Sequence, residues 1–307
     1  MTLLLGLDIG GTKSAAVVGD TDGRVLARAE APTPSESWQA ACALHCRLLR
    51  DVLAQHRASL ADIRALGVSC GGPLDSKTGV VYSPPNLPAW DAVPLRALLQ
   101  AEFGLPTFVE NDANATALAE HRWGAGRGCS DMAFLTMGTG IGAGLILGGR
   151  LHRGRGDLAG EIGHATILPD GPPCPCGKRG CLETLASGTA IGRMGRERYG
   201  ESGLTARDVC DRARLGEPVA LGIIGEAARY MGIGLANLLQ TLPLERIVLG
   251  TLAVHAADLL LEPIRAATRA HCWPRIWESV SVVPAALGDG AQDKAALAAA
   301  LCGVAEK

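Results

Sequence analysis

Residues 7–13 read Leu-Asp-Ile-Gly-Gly-Thr-Lys. An apolar strand ends at Leu7-Asp8, the two glycines form a turn, and a second strand runs from Ser14 to Gly19. A turn at Asp20–Gly23 leads to a third strand, Arg24 to Glu30. The glycine turn joins strand to strand, so it differs from the Walker loop and the dinucleotide fingerprint, which both open a helix. The segment predicts three strands joined by tight turns.

The same plan returns later in the chain. A strand from Asp131 to Thr136 leads into the glycine turn Met137–Gly142, and a second strand covers Ala143 to Leu147. Gly148-Gly149 then turns the chain into a third strand that starts at Arg150. Because a strand, a Gly-Thr turn and a strand occur in both halves, the sequence predicts two related lobes.

Helical patterns alternate with these strands. A helix starting near Ser35 or Ser37 precedes a buried strand, Ile63 to Ser69, and the last third is mostly helical, with one long apolar-faced helix from Leu221 to Leu242. The alternation predicts an α/β fold of two lobes around a cleft. We expect residues 1–113 and 289–307 to form the first lobe, and residues 114–288 to form the second.

Composition limits the function classes. The 307 residues carry a net charge of −2, so there is no basic footprint for nucleic acid. No uninterrupted apolar run approaches the roughly 20 residues that span a bilayer, and the first residues lack the basic region of a signal peptide. Most of the ten cysteines are scattered singly, which fits a reducing compartment. We expect a cytoplasmic protein without nucleic-acid or membrane partners.

One short segment combines a histidine, three cysteines and two carboxylates. Glu161-Ile162-Gly163-His164 is followed by a knot that contains Cys174, Cys176, Cys181 and Glu183. Three thiolates and one imidazole make a closed tetrahedral shell that suits Zn²⁺ and leaves no position for a water. The segment therefore predicts a structural zinc site with His164, Cys174, Cys176 and Cys181 as ligands, and glutamates held at its edges.

The glycine turns suggest a use for the two lobes. Backbone N–H groups in such a turn, with a threonine hydroxyl beside them, form a concavity for phosphate oxygens. The alternative is that each is only a tight hairpin, and the recurrence weakens it. We expect phosphate contacts from Gly10, Gly11, Thr12 and Lys13 in the first turn and from Gly138, Thr139 and Gly140 in the second. Asp8, at the end of the first strand, is expected to hold a hydrated Mg²⁺.

Polar residues also lie where a strand meets a helix, at Glu110-Asn111-Asp112-Ala113-Asn114. Asn111 or Asp112 would serve as a helix cap, and from this segment alone that structural interpretation is favoured. In the functional interpretation, Asp112 is the general base that accepts a proton from a substrate hydroxyl as it attacks the γ-phosphate of ATP, and Asn111 holds a neighbouring hydroxyl. His45, with Cys42 and Cys46 at helical spacing, is interpreted as part of a buried helix face and not as a second metal site.

Taken together, these motifs resemble the ROK family of sugar kinases and repressors, within the actin-like ATPase (ribonuclease H-like) fold. Five motifs in order carry the resemblance over essentially the whole chain: residues 8–13, 110–114, 138–142, 161–164 and the cysteine knot. The resemblance implies a catalytic base at Asp112, structural zinc at the predicted ligands, ATP and Mg²⁺ as cofactors, and a homodimer. It also implies sugar contacts by Gly72, Asn111, Asp112, Glu161, His164 and Glu183.

Two departures from the family pattern lie on the nucleotide side. The family's glycine-rich turn after a late strand is matched here by Gly250 alone, because Thr251-Leu252 follows it. Gln292-Asp293-Lys294 places charges where small residues are usual. We still expect Gly250 to contact the nucleotide.

The resemblance implies phosphorylation of a hexose, with glucose favoured, at its 6-hydroxyl. The alternatives are kinases for N-acetylmannosamine, N-acetylglucosamine or fructose, and a catalytically weak sugar-binding relative. A repressor is disfavoured, because ROK repressors carry a helix-turn-helix domain before the kinase-like part, whereas the Asp8 motif begins near residue 1.

Overall fold

A computed structural model describes residues 2–306 of the chain. Its strands within this range are β1 (Leu3–Ile9), β2 (Lys13–Asp20), β3 (Val25–Pro32), β4 (Ile63–Cys70), β5 (Leu74–Asp75), β6 (Val80–Val81), β7 (Thr107–Asn111), β8 (Met132–Leu135), β9 (Ala143–Leu147), β10 (Arg150–Leu151), β11 (Arg246–Leu249) and β12 (Ser281–Pro284).

Helices make up most of the remainder. The α-helices in the described range are α1 (Trp38–His56), α2 (Leu95–Phe103), α3 (Asp112–Trp123), α4 (Leu182–Ala186), α5 (Gly188–Tyr199), α6 (Ala206–Arg214), α7 (Pro218–Thr241), α8 (Leu252–His255), α9 (Ala257–His271), α10 (Pro274–Trp277) and α11 (Ala291–Ala305). Short 3₁₀ turns cover Leu60–Asp62, Arg155–Asp157, Glu161–His164 and Gly288–Gly290.

The two five-stranded sheets have the same topology. The first has the order β3-β2-β1-β4-β7 and the second the order β10-β9-β8-β11-β12. In each sheet the strands joined by short turns pair antiparallel, whereas the last two pairings are parallel. The α/β class and the duplication predicted from the glycine turns are therefore confirmed.

The chain divides into two compact units at other positions than we expected. Unit 1 comprises Met1–Arg127, Arg153–Asp157 and Leu287–Lys307, and unit 2 comprises Gly128–His152 and Leu158–Ala286. Whereas the expected boundary fell at residue 113, α3 belongs to unit 1 because it packs against α11, which in turn packs on β1 and β4.

Unit 1 depends on a close approach between its sheet and α11. Leu4 and Val17 of the sheet form a buried cluster with Leu297 and Ala300 of the helix. Gly67 in β4 lies against the backbone of α11, where a Cβ atom would collide with the carbonyl oxygen of Ala296. The alanine-rich sequence of α11 fits this contact, because small side chains let a helix backbone approach a sheet closely.

Unit 2 is built around α7. This helix is the one described helix that is long and apolar enough to cross a membrane by length and composition. More than half of its most apolar stretch is buried inside the protein, and it packs against α4, α5, α6 and α9. These contacts are those of a core helix.

Candidate active site

The first glycine turn lies between β1 and β2. The Gly10 N–H donates to the Lys13 carbonyl oxygen at 3.0 Å, which closes the turn. The loop that contains Asn86 packs on it, since a Cβ atom on Gly11 would lie 2.5 Å from the Asn86 carbonyl oxygen. Lys13 is paired with Glu30 at 3.1 Å and remains mostly exposed. The backbone of this turn thus has a defined shape, and its lysine is within reach of an anionic ligand from solvent.

Asp8 lies beside this turn, in a setting that disfavours its charge. Burial raises the pKa of the Asp8 carboxyl to about 7, and repulsion from Asp112 and Asp293 acts in the same direction, against a hydrogen bond from Ser69. Asp293 is one of the departures from the family pattern, and its carboxylate accepts a 2.8 Å bond from Arg28 Nε. The charged residue at the start of α11 is thus compensated by an arginine and acts on the expected Mg²⁺ ligand.

The pKa of Asp8 implies a pH dependence of stability. Its folded value, about 7, lies above the value of roughly 4 in an unfolded chain, so the folded state binds the proton more tightly. The resulting contribution to the free energy of unfolding is fully present below pH 4 and is lost as the pH rises through 7. We expect the melting temperature of the ligand-free protein to fall over this range. Asp8→Asn should weaken the dependence and raise the melting temperature at pH 8, whereas Asp170→Asn, at an exposed carboxyl of unit 2, should do neither. Equal pH profiles for wild type and Asp8→Asn would contradict this account.

Asp112 is the first residue of α3. Asn111 caps the helix, as its side-chain oxygen accepts from the N–H of Ala113 at 3.0 Å and of Asn114 at 3.4 Å. The cap predicted for Asn111 is confirmed, and the cap fixes where Asp112 begins the helix. Burial raises the pKa of the Asp112 carboxyl, while the residue as a whole keeps a solvent-exposed surface. A carboxylate with a raised pKa is better suited to accept a proton.

Behind Asp112, the buried side chain of Glu110 ties the junction together. Its carboxylate accepts from Asn111 N–H at 3.0 Å, Asn114 Nδ2 at 3.0 Å and Arg153 Nε at 2.8 Å. Arg153 also pairs with Glu306, the residue that follows α11, at 3.0 Å. Breaking such a buried ion pair by removing one partner costs on the order of 3–5 kcal/mol. The hydrogen bonds and the ion pair of Glu110 therefore hold the β7–α3 junction rigidly.

Gly72 also lies in unit 1, against Asn111. A Cβ atom on Gly72 would lie 3.0 Å from Asn111 Nδ2, so only glycine leaves this amide its present room. The predicted sugar contacts of unit 1 are thus neighbours, and the Asn111 amide nitrogen is the atom that its capping role leaves unused.

The second glycine turn belongs to unit 2, and Glu183 holds it. The Ile141 N–H donates to Glu183 Oε2 at 2.9 Å, and Gly140 packs so closely on this carboxylate that a Cβ atom would collide with it. The Gly188 N–H donates to the Gly138 carbonyl oxygen at 2.7 Å. One carboxylate oxygen of Glu183, which was predicted to bind sugar, is therefore used in shaping the turn.

Thr251 supports the same turn in a strained conformation. It has φ 54° and ψ −114°, a region where a β-branched residue is an outlier. Its Oγ1 accepts from the Met137 N–H at 3.2 Å, just before Gly138. Gly250, beside it, packs on Phe134, where a Cβ atom would lie 2.7 Å from the ring. The departure from the family's glycine pattern thus places the Thr251 hydroxyl against the backbone at the start of the second glycine turn.

The strain at Thr251 reverses an ordinary preference between alanine and glycine. Both substitutions remove the hydroxyl, but only glycine adopts the backbone conformation freely. We expect Thr251→Gly to be about 1–2 kcal/mol more stable than Thr251→Ala in urea unfolding. At Thr241, in the last turn of α7, the same pair should show the usual order, with alanine more stable. An alanine variant at position 251 as stable as the glycine variant would show that the position is unstrained.

The histidine and three cysteines of the predicted zinc site converge in unit 2. Their nearest ligand atoms all lie within 4.8 Å of one another. Cys174 Sγ lies 3.6 Å from His164 Nδ1, and Cys176 Sγ lies 3.7 Å from Cys181 Sγ. Sulfur ligands at about 2.3 Å around a tetrahedral Zn²⁺ would be separated by similar distances, so donor set and geometry fit this ion. His164 Nε2 faces Glu161, whose Oε2 lies 3.9 Å away.

The structure brings the predicted residues together within each unit. Unit 1 groups Asp8, the first glycine turn, Gly72, Asn111 and Asp112, while unit 2 groups the second glycine turn, Glu183 and the cysteine cluster. Sequence reasoning missed the supporting residues Ser69, Arg153 and Thr251. Only Thr251 carried a signal, as a departure from the glycine pattern; Ser69 and Arg153 act through contacts between distant segments.

The motifs and the fold have counterparts in known proteins. A sequence model of the ROK family matches residues 4–301. The chain belongs to the ROK family. Among its relatives is a glucokinase of Halalkalibacterium halodurans, 36% identical over 302 residues, which cover 94% of this chain and 91% of the relative.

Solved structures of ROK proteins show the same fold. The ROK hexokinase from Thermus thermophilus has a TM-score of 0.89 and 37% identity, with 99% of this chain and 100% of that one covered. A ROK glucokinase from Streptomyces griseus in complex with glucose and AMPPNP has a TM-score of 0.82 and 35% identity, with 97% and 99% covered. This chain therefore has the two-domain, actin-like ATPase fold of ROK sugar kinases, as predicted.

Proposed function

We propose that this protein is an ATP-dependent sugar kinase that transfers the γ-phosphoryl group of ATP to the 6-hydroxyl of glucose. One observation carries the proposal: the carboxylate of Asp112 stands at a rigid strand–helix junction in a chain similar to a glucokinase over nearly its whole length.

Asp112 acts as the general base in this proposal. Its carboxylate takes the proton from the sugar hydroxyl as that oxygen attacks the γ-phosphorus. Asn111, through its amide nitrogen, and the backbone at Gly72 position the sugar, and Glu161, His164 and Glu183 bind further hydroxyls. A carboxylate suits this task because its oxygens accept from sugar hydroxyls, and Glu183 keeps one oxygen for this beside the one that accepts from Ile141.

The glycine turns bind the nucleotide phosphates. Residues 10–13 and 138–140 offer backbone N–H groups to the phosphate oxygens, Lys13 adds positive charge, and Gly250 contacts the adenosine side. Asp8 suits a hydrated Mg²⁺, which would neutralise charge on the transferred group. Its pKa of about 7 means that a cation at this position also stabilises the ionised carboxylate.

Zinc has a structural role in the proposal. His164 Nδ1 and the three thiolates would hold the ion, which would leave Nε2 on the side of Glu161 for a sugar hydroxyl. The same imidazole thus links the metal to the substrate, and the reacting groups remain Asp112 and the phosphates.

The identity of the sugar needs its own test, because kinases for N-acetylmannosamine, N-acetylglucosamine and fructose share many of these motifs. The deciding experiment measures kcat/KM with ATP for these sugars and glucose, using zinc-loaded protein. The highest value for glucose would support the proposal, and the highest value for N-acetylmannosamine would favour the alternative. No phosphorylation of any sugar on the panel would leave the catalytically weak sugar-binding relative.

We also propose a cytoplasmic location, because most of the ten cysteines are scattered singly along the sequence, which suits a reducing compartment. The homodimer stays a prediction, which light scattering after size-exclusion chromatography would check.

A further inference from the structure

A chain of buried polar side chains runs from α1 to the first glycine turn. His45 Nε2 lies 3.0 Å from Ser14 Oγ, Ser14 Oγ lies 2.8 Å from Thr33 Oγ1, and Thr33 Oγ1 donates to the Gly10 carbonyl oxygen at 2.7 Å. His45 and Ser14 are fully buried and Thr33 is 9% exposed. The interpretation of His45 as part of a buried helix face is confirmed, but its ring does more than fill space.

The direction of each hydrogen bond follows from counting protons. A hydroxyl has one proton to donate, and that of Thr33 goes to Gly10, so Thr33 accepts from Ser14. The Ser14 proton is thereby used, and Ser14 accepts from His45 Nε2–H. The imidazole is neutral because burial lowers the pKa of His45 to about 4. Its Nδ1 then carries only a lone pair, and it has no hydrogen-bond partner within residues 2–306.

The end of this chain controls a peptide of the glycine turn. Thr33 grips the turn twice, because its own N–H also donates to the Thr12 carbonyl oxygen at 3.0 Å. A trans peptide is planar, with its N–H opposite to its carbonyl. Holding the Gly10 carbonyl against Thr33 therefore turns the Gly11 N–H away from Thr33 and keeps it in one orientation. Gly10 and Gly11 alone have wide conformational freedom, so this orientation needs an external support.

We propose that Thr33, Ser14 and His45 are positioning residues that orient the Gly10–Gly11 peptide for the nucleotide phosphates. The inference rests on the proposed function in one respect, the assignment of this turn to phosphate. The expected effect is selective. Loss of these hydrogen bonds should weaken nucleotide binding and leave sugar binding unchanged.

The test begins with Thr33→Val, which has almost the same volume and lacks the hydroxyl. We expect the KM for MgATP to rise about tenfold, as for the loss of one buried hydrogen bond, and the KM for glucose to change less than about twofold. Thr33→Ser keeps the hydroxyl and should restore the wild-type value. His45→Leu should shift the KM for MgATP in the same direction by a smaller factor, and His45→Gln, whose side-chain amide can donate to Ser14, should reverse that shift.

Thr268→Val is the matched control. The Thr268 hydroxyl is fully buried in α9 of unit 2 and donates to a backbone carbonyl, that of Ile264, at 2.8 Å. Its removal should lower the melting temperature without changing the ratio of the two KM values. Equal changes in both KM values for Thr33→Val, no change in either, or the same selective loss in Thr268→Val would each overturn the inference.

Calorimetry separates this inference from the proposed function. MgADP binding is measured without sugar and without turnover, so a tenfold weaker Kd in Thr33→Val supports the positioning role even if no sugar on the panel is phosphorylated. If the wild-type protein phosphorylates glucose and Thr33→Val binds MgADP with the wild-type Kd, the positioning role alone is refuted.

Discussion

Asp112→Asn is expected to lower kcat by about 10²–10⁴-fold, the usual contribution of a general base, and to leave the Kd for glucose nearly unchanged. The amide has the shape of the carboxyl but cannot take the proton from the hydroxyl. Its oxygen can still accept the 2.8 Å bond from the Ala113 N–H, and the Asn111 cap remains, so α3 should begin at the same residue. The substitution also removes a negative charge that raises the pKa of Asp8. The loss should therefore lie in the chemical step.

Single-turnover kinetics for kcat and calorimetry for glucose would test this expectation. Asp208→Asn is the matched control, because Asp208 is also an aspartate in the first turn of a helix, α6, and lies outside the candidate site. Its amide oxygen can still accept both capping bonds from Thr205, so α6 should start at the same residue and kcat should stay unchanged. An Asp112→Asn protein that retained more than a tenth of the wild-type kcat would show that another group takes the proton.

Cys176→Ser is expected to abolish zinc binding and to weaken glucose binding by more than about tenfold. Cys176 is the exposed member of the cluster, whereas Cys174 and Cys181 are buried, so this substitution leaves the packing of the core unchanged. Without the ion, His164 Nδ1 loses its partner and the imidazole is no longer held with Nε2 towards Glu161. Cys181 of the cluster immediately precedes α4, and α4 carries Glu183, which accepts a hydrogen bond from the second glycine turn. We therefore expect this turn to become less ordered as well.

Metal content by mass spectrometry and glucose affinity by calorimetry would be measured on the same sample. Cys46→Ser makes the same change at a half-buried thiol outside the cluster and should retain both zinc and affinity. A zinc-free Cys176→Ser protein that bound glucose with wild-type affinity would separate the metal from sugar binding and refute the structural role proposed for it.

The architecture was predictable because its signals are local. Each glycine turn lies between strands in a short stretch of chain, and the repetition of that stretch indicated two related sheets. The return of Arg153–Asp157 to unit 1 was not predictable, because it depends on an ion pair with Glu110 and on bonds from Ser76 to Asp157, far apart in the sequence. Helix α4 was missed because its five residues are too few to show an apolar periodicity.

In the candidate site, too, the local motifs were predictable and the contacts between distant segments were not. Asp112, the cysteine cluster and both glycine turns are short motifs whose chemistry can be predicted from residue type and spacing. What sets their properties lies elsewhere: Ser69 and Asp293 act on the pKa of Asp8, and Thr251 bonds to Met137 from the end of another strand. Such contacts form only when the sheets are assembled. The sequence marked Thr251 and Asp293 as departures from the family pattern, but it did not indicate which groups they act on.

The position of α11 has a consequence for synthesis on the ribosome. Unit 2 is inserted, in sequence, between the first part of unit 1 and α11, the helix that packs on the sheet of unit 1. During translation, β1 and β4 leave the ribosome long before α11 does, and the surface around Gly67 stays uncovered until then. Unit 2 can complete its core first, although the strands of unit 1 are made earlier, because domains fold once their own residues are available. Nascent unit 1 is therefore the part of this chain that depends most on protection from aggregation.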